Sequence, residues 1–117
     1  MKITAVKSFA FKATHRNLFI VKIETDRGLY GIGESGTSSR EMAISGAIKH
    51  FAQFLVGEDP RRIEHIWQLL YRGQYFEGGT ILAAALSAVD IALWDLRGKM
   101  LDVPVRSEER RVGQECR

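Results

Sequence analysis

TILAAALSAVDIALWDLRGKML, residues Thr80 to Leu101, carries apolar side chains at Leu82, Leu86, Val89, Leu93, Leu96 and Met100. That spacing of three and four predicts one continuous helix. The opposite side is hardly more polar, because Ile81, Ala84, Ala85, Ala88, Ile91 and Ala92 fill it. Only Ser87, Asp90 and Asp95 interrupt the run before Arg97. A helix apolar nearly all round is buried on more than one side. It is not a membrane span, since two carboxylates break it well short of the ~20 apolar residues required. A short domain covers one face of such a helix, and something else must cover the other.

Upstream, the pattern is that of strands and shorter helices. Lys2 to Lys12 alternates, with Ile3, Ala5, Phe9 and Phe11 expected on one face and Lys2, Thr4, Ser8 and Lys12 mostly on the other. A second strand, Leu18 to Thr25, turns Phe19, Val21 and Ile23 inward and Lys22 and Glu24 outward. Asp26-Arg27-Gly28 is a hairpin signal, with glycine available for positive φ. The third strand, Leu29 to Glu34, sets Tyr30 and Ile32 on one face. Gly31 and Gly33 lie on the other, leaving room for close backbone approach.

Two more helices precede the long one. Ser38 or Ser39 caps a helix through Arg40 to Val56, with Met42, Ile44, Ala47, Ile48, Phe51, Phe54 and Leu55 as its apolar positions. Gly57-Glu58-Asp59-Pro60 is a stop followed by a start, with Asp59 as cap. The next helix runs to about Arg72 and presents Ile63, Ile66, Trp67, Leu70 and Tyr71. The expected fold is α+β: a three-stranded antiparallel meander followed by three helices packed on one sheet face.

Composition narrows function without naming it. One domain at most fits 117 residues, and the 45% hydrophobic, 26% charged content is that of an ordinary globular protein. The net charge of +3 is scattered, which argues against a nucleic-acid groove. MKITAVKSFAF lacks the apolar core of a signal peptide, and one cysteine cannot pair within the chain, so a cytoplasmic location is expected. His15, His50, His65 and Cys116 show no zinc-ligand spacing. Gly31, Gly33 and Gly36 are not a phosphate loop, since GxGxxG spacing and a following Lys-Ser or Lys-Thr are missing. His50 and His65 read as surface or boundary side chains. Asp90 and Asp95, five apart, are poor metal partners for each other. Asp95 reads as the helix partner of Lys99, and Asp90 as a buried carboxylate held by hydrogen bonds. No catalytic or metal-binding residue is expected in this chain.

Three blocks carry a family resemblance: SAVDIALWDLRGK (Ser87–Lys99), GLYGIGES (Gly28–Ser35) and LVGEDPRRIEHIWQLLYRG (Leu55–Gly73). In that order they resemble the amino-terminal capping domain of the enolase superfamily, in its mandelate racemase and muconate-lactonising branch. The likeness runs from about Met1 to Val105. It implies Mg²⁺ ligands and acid–base residues on a following (β/α)₈ barrel that is missing here. There a proton alpha to a carboxylate is removed and the metal holds the resulting enediolate. It also implies a capping domain whose loops exclude water and read the far end of the substrate. By matching of blocks those loops fall near 14–17 and 35–40, which makes His15, Arg16, Asn17, Thr37 and Ser38 the candidate substrate-binding residues.

Within the branch, GEDPRRIEHIWQLLYRG followed by Gly78-Gly79-Thr80-Ile81-Leu82 is similar to acid-sugar dehydratases of the galactonate and mannonate types. The mannonate type implies asparagine near Ser38, and the serine here favours the galactonate type. The expectation is therefore the capping domain of a carbon–oxygen lyase, inactive by itself, whose parent is a cytoplasmic homo-oligomer. Another member of the superfamily (mannonate dehydratase, racemase or cycloisomerase) and a non-catalytic docking module are the alternatives. Neither a nucleic-acid nor a membrane partner is expected. After Val103-Pro104-Val105 the family implies a Leu-Leu-Gly-Gly-like segment, but residues 106–117 read RSEERRVGQECR. They resemble the translation of a DNA-sequencing adaptor, RSEERRVGKEC, apart from Gln114. The expected division is a capping domain at 1–105 and a non-native tail at 106–117.

Overall fold

The computed structural model describes residues 1–12, 17–35, 41–72 and 80–105, arranged as three strands followed by three helices. β1 (Ile3–Lys12), β2 (Asn17–Thr25) and β3 (Tyr30–Ser35) form one antiparallel sheet in the order β1-β2-β3. The β2–β3 hairpin closes where the sequence places it. Gly28 has φ 81°, and Thr25 N–H donates to the Leu29 carbonyl at 3.1 Å. Phe19, Val21 and Ile23 are buried as their alternation predicts.

β1 departs from its alternation. Ile3 lies opposite Thr25, but Ala5 lies opposite Glu24, so the register shifts by one residue between them. An extra residue in one strand moves every side chain beyond it to the other face. Val6 therefore shares the helix-facing side with Ile23, and Phe9 and Phe11 are 47% and 49% exposed on the outer side. Placing Ala5, Phe9 and Phe11 with Ile3 was incorrect for this reason.

α1 (Glu41–Leu55) and α3 (Thr80–Leu101) lie against the same sheet face, whereas among the described residues α2 (Ile63–Arg72) packs on α3 and α1 and not on the strands, which corrects the expectation of three helices on the sheet. Ile44, Ala47, Ile48, Phe51 and Leu55 form the buried stripe of α1. Met42, 91% exposed, and Phe54 fall outside it, which corrects the expected apolar set. α2 begins a few residues later than its sequence signal, because Asp59 first forms a turn. Its carboxylate accepts from Arg61 N–H at 2.9 Å, and its carbonyl accepts from Arg62 N–H at 3.1 Å.

α3 has the predicted bounds and is buried on two sides. Ala85, Leu86, Ala88, Val89, Ala92, Leu93 and Leu96 all lie in the interior. At two positions of β3 the helix backbone comes close enough to exclude any side chain. A Cβ on Gly31 would stand 2.0 Å from the Ala92 carbonyl oxygen, and one on Gly33 would stand 2.0 Å from that of Ala88. The glycines thus set backbone against backbone, as their place in β3 suggested. At its other end α3 stops in a Schellman turn. Asp102 takes φ 56° and Val103 N–H donates to the Gly98 carbonyl at 2.9 Å.

Candidate functional site

Register brings one end of each of the three strands together. Lys12 is paired with Asn17, and Phe19 with Ser35, so 13–16 and 36–40 leave the same end of the sheet. α3 points its start toward that end as well. Gly31 lies under Ala92 and Gly33 under Ala88. Two strand residues advance ~6.7 Å and four helical residues ~6 Å, so β3 and α3 stay in step while running in opposite directions. The buried hydroxyl of Ser35 sits here with no hydrogen-bond partner among the described residues. An unsatisfied buried hydroxyl is uncommon. Its presence at the loop end is a feature that alternation in GIGES does not announce.

Of the candidate substrate-binding residues, Asn17 opens β2 at this end, opposite Lys12. His15, Arg16, Thr37 and Ser38 lie outside the described residues, as does the expected tail at 106–117. Among the described residues, no group of three or more His, Cys, Asp or Glu side chains could hold a metal ion. His50 and His65 are exposed and remote from one another in sequence and element. The His50 ring meets Phe54 edge-on at 5.4 Å, and His65 Nε2 lies 3.5 Å from the Glu58 carboxylate. Asp59 is held at about 2 by hydrogen bonds from the Arg61 side chain and backbone. That is a turn-forming pair, not an acid–base group poised for catalysis.

The third flank of α3 holds the remaining chemistry. Asp95 Oδ2 accepts from the Ile32 backbone N–H at 2.9 Å and lies 3.4 Å from Lys99 Nζ. Lys99 in turn donates to the Tyr30 carbonyl at 2.8 Å and covers the Tyr30 ring at 3.9 Å. Together they occupy backbone groups along an edge strand that would otherwise invite pairing. The Asp95–Lys99 pair was legible at i, i+4, whereas its bond to β3, 63 residues away, was not.

Asp90 corrects its sequence reading. It is only half-buried and has no hydrogen-bond partner among the described residues, and desolvation raises its pKa. It borders a hollow of about 560 Å³ together with Ile32, Ile91, Trp94, Asp95 and Val105.

Comparison with known proteins agrees with this geometry. The model of the mandelate racemase / muconate lactonizing enzyme N-terminal domain matches residues 4–107. A D-mannonate dehydratase of Novosphingobium aromaticivorans is 45% identical over 106 residues, which are 90% of this chain and 26% of that protein. A D-galactonate dehydratase of Ralstonia nicotianae is 46% identical over 105 residues, covering 90% of this chain and 27% of its own length. The solved structure of an enolase from Pantoea ananatis, with bound D-gluconate and Mg, superposes with a TM-score of 0.80 at 41% identity. That match takes in 86% of this chain and 25% of the other. The chain thus spans about a quarter of the length of the relatives it matches.

Proposed function

Because the chain belongs to the mandelate racemase / muconate lactonizing enzyme family, in the N-terminal domain of that family, we propose that it is the capping part of an acid-sugar dehydratase. One observation supports the reading: the strand residues that flank segments 13–16 and 36–40, namely Lys12, Asn17 and Ser35, lie at one end of the sheet, beside the start of α3. A wall built this way reads a substrate lying across it. The dehydratase chemistry is supported by relatives of 45% and 46% identity.

The part assigned to this chain is positional. His15, Arg16, Asn17, Thr37 and Ser38 present donors and acceptors to the hydroxyls of a sugar acid, and the segments bearing them exclude water. Excluding water strengthens every polar contact inside such a site. Among the described residues no group of three or more His, Cys, Asp or Glu side chains could hold a metal ion. We assign Mg²⁺ and the acid–base groups to the remainder of the parent protein, a (β/α)₈ barrel. In that parent the proton alpha to the carboxylate is removed and the neighbouring hydroxyl leaves as water. The enol then tautomerises to a 2-keto-3-deoxy acid. Galactonate is the favoured substrate, on the serine at position 38. Residues 106–117 are read as foreign to the parent, and the parent as a cytoplasmic homo-oligomer. No helix among the described residues is long and apolar enough to cross a membrane.

A chimaera tests this. Residues 1–105 replace the matching segment of the Ralstonia nicotianae enzyme, and a panel of aldonic acids is assayed with Mg²⁺. Dehydration is expected. Arg16→Ala should lower kcat/KM about tenfold or more, as for one lost hydrogen bond to a charged group. Turnover of no aldonic acid would overturn the reading. The isolated chain is expected to show no turnover.

A further inference from the structure

We infer that the open edge of β1 pairs antiparallel with β1 of a second copy of this chain, about a two-fold axis at Ser8. The inference rests on the strand itself and not on the dehydratase reading. β1 and β3 are the two edges of the sheet, and they are finished differently. On β3, Asp95 takes the Ile32 N–H at 2.9 Å and Lys99 donates to the Tyr30 carbonyl at 2.8 Å. On β1 the first residue is closed as well: Ile3 N–H donates to the Glu58 carbonyl at 2.9 Å, and its own carbonyl accepts from Gly57 N–H at 2.8 Å. From Thr4 to Lys12 no backbone bond beyond the β2 ladder forms among the described residues. The same stretch carries Phe9-Ala10-Phe11, three apolar residues in a row and all exposed. The bulge after Ile3 turns both rings to the outer side, away from the helices. An open edge with apolar side chains is a template for another strand.

The register selects a copy of the same strand as that partner. Ser8 is the midpoint of the open edge, so an axis there pairs its whole length. It sets Lys7 across from Phe9 of the second copy, Val6 across from Ala10, and Ala5 across from Phe11. Small residues then face larger ones, and each lysine faces a ring. An axis one residue earlier, at Lys7, would oppose two like charges. Pairing of this length supplies about eight backbone hydrogen bonds, within the number typical of a specific interface. It stops at two chains, because the β3 edge is already closed by Asp95 and Lys99.

Cysteine trapping in the full 117-residue chain tests the register, in a Cys116→Ser background. At the axis, the Cα atoms of Ser8 and its copy stand ~5 Å apart, within disulfide reach. Lys7 and its copy are offset by two residues and stand ~8 Å apart, beyond that reach. Oxidised glutathione, which takes two electrons and two protons from a pair of thiols, should therefore trap Ser8→Cys as a covalent dimer. Lys7→Cys and Ala10→Cys should stay monomeric. Light scattering over a concentration series supplies the second readout, with the mass rising to twice that of one chain. Phe9→Lys, at an exposed position, sets a second lysine against Lys7 and should raise the dissociation constant about tenfold or more. Adding Lys7→Glu should restore it. A chain that stays monomeric at every concentration, equal trapping at all three positions, or a dissociation constant unmoved by Phe9→Lys would overturn the pairing.

Discussion

The two long flanks of α3 are built on opposite terms. Against β3 the helix has no tolerance, since Gly31 and Gly33 let carbonyl oxygens of Ala92 and Ala88 occupy the space of a side chain. On the flank bearing Asp90, Ile91 and Trp94 there is a hollow, a solvent-facing isoleucine and a carboxylate without a hydrogen-bond partner among the described residues. The first flank holds the fold, and its chemistry is complete within the chain. The second is unfinished by the standards of an interior, where polar groups are paired and apolar groups covered. One helix thus separates what this segment does for itself from what it offers to a neighbour.

The largest expected effect comes from breaking the tight flank. Gly33→Val inserts a branched side chain where even a Cβ would be 2.0 Å from backbone. The obstacle is a helix carbonyl, not a movable side chain, so α3 must separate from the sheet. A loss of more than about 4 kcal/mol is expected, seen as an unfolded circular dichroism spectrum without denaturant. A folded Gly33→Val protein would show that the contact is less strict than its geometry.

Next comes a neighbouring pair. Leu93 is buried within the core and Trp94, one residue on, is only half-buried. Leu93→Ala should cost about 2–5 kcal/mol, and Trp94→Ala less than the roughly 3–5 kcal/mol of a fully buried tryptophan, as the ring packs against the core but keeps part of its surface in solvent. Urea midpoints of the two variants order the flanks directly. If Trp94→Ala proved the costlier, the open flank would be part of the core.

How much of this was legible follows the range of the interactions. The bounds of α3, the glycine face of β3 and the Asp26–Gly28 turn were readable because each depends on residues close in sequence. β1 was not. A strict period of two from Ile3 puts Phe9 and Phe11 inside, and one bulge between Ile3 and Ala5 puts them outside. Nothing in ITAVKSFAFK marks that bulge, because it is set by pairing with β2. The same holds for Asp95, whose partner at Ile32 is 63 residues away. At the candidate site, the resemblance named polar residues, and register placed only the strand residues flanking them, Lys12, Asn17 and Ser35, at one end. The Ser35 hydroxyl, without a hydrogen-bond partner among the described residues, had no local signal.

Asp95 measures the seam between the two flanks, since it borders the hollow while holding β3. Asp95→Ala removes a charge-assisted bond to a backbone N–H and the Lys99 partner together. A cost of about 1–2 kcal/mol is expected, with faster amide exchange at Ile32 than in the parent chain. Exchange unchanged at Ile32 would mean the backbone group is protected by something other than Asp95.

The smallest effect has the opposite sign, and pH separates it from the rest. Desolvation raises the Asp90 pKa in the folded chain. A raised folded value means the folded state holds the proton more tightly, so Asp90 costs nothing below its unfolded pKa of about 3.9. The cost appears as pH rises from there through the folded value and is complete near neutrality. Asp59 runs the other way. Arg61 holds it at about 2, so its stabilisation is full above the unfolded value and disappears as pH falls through the folded one. Acid unfolding of the chain mixes the two, and a difference between variants removes Asp59 from the account. Asp90→Asn should therefore raise the urea midpoint of the isolated chain at pH 7, by less than Asp95→Ala lowers it. The advantage should shrink steadily toward pH 4 and vanish at pH 3. A constant difference across that range would assign the gain to packing instead of charge. A destabilised Asp90→Asn protein at pH 7 would mean that the carboxylate is already satisfied within the chain, and that the flank called unfinished is complete.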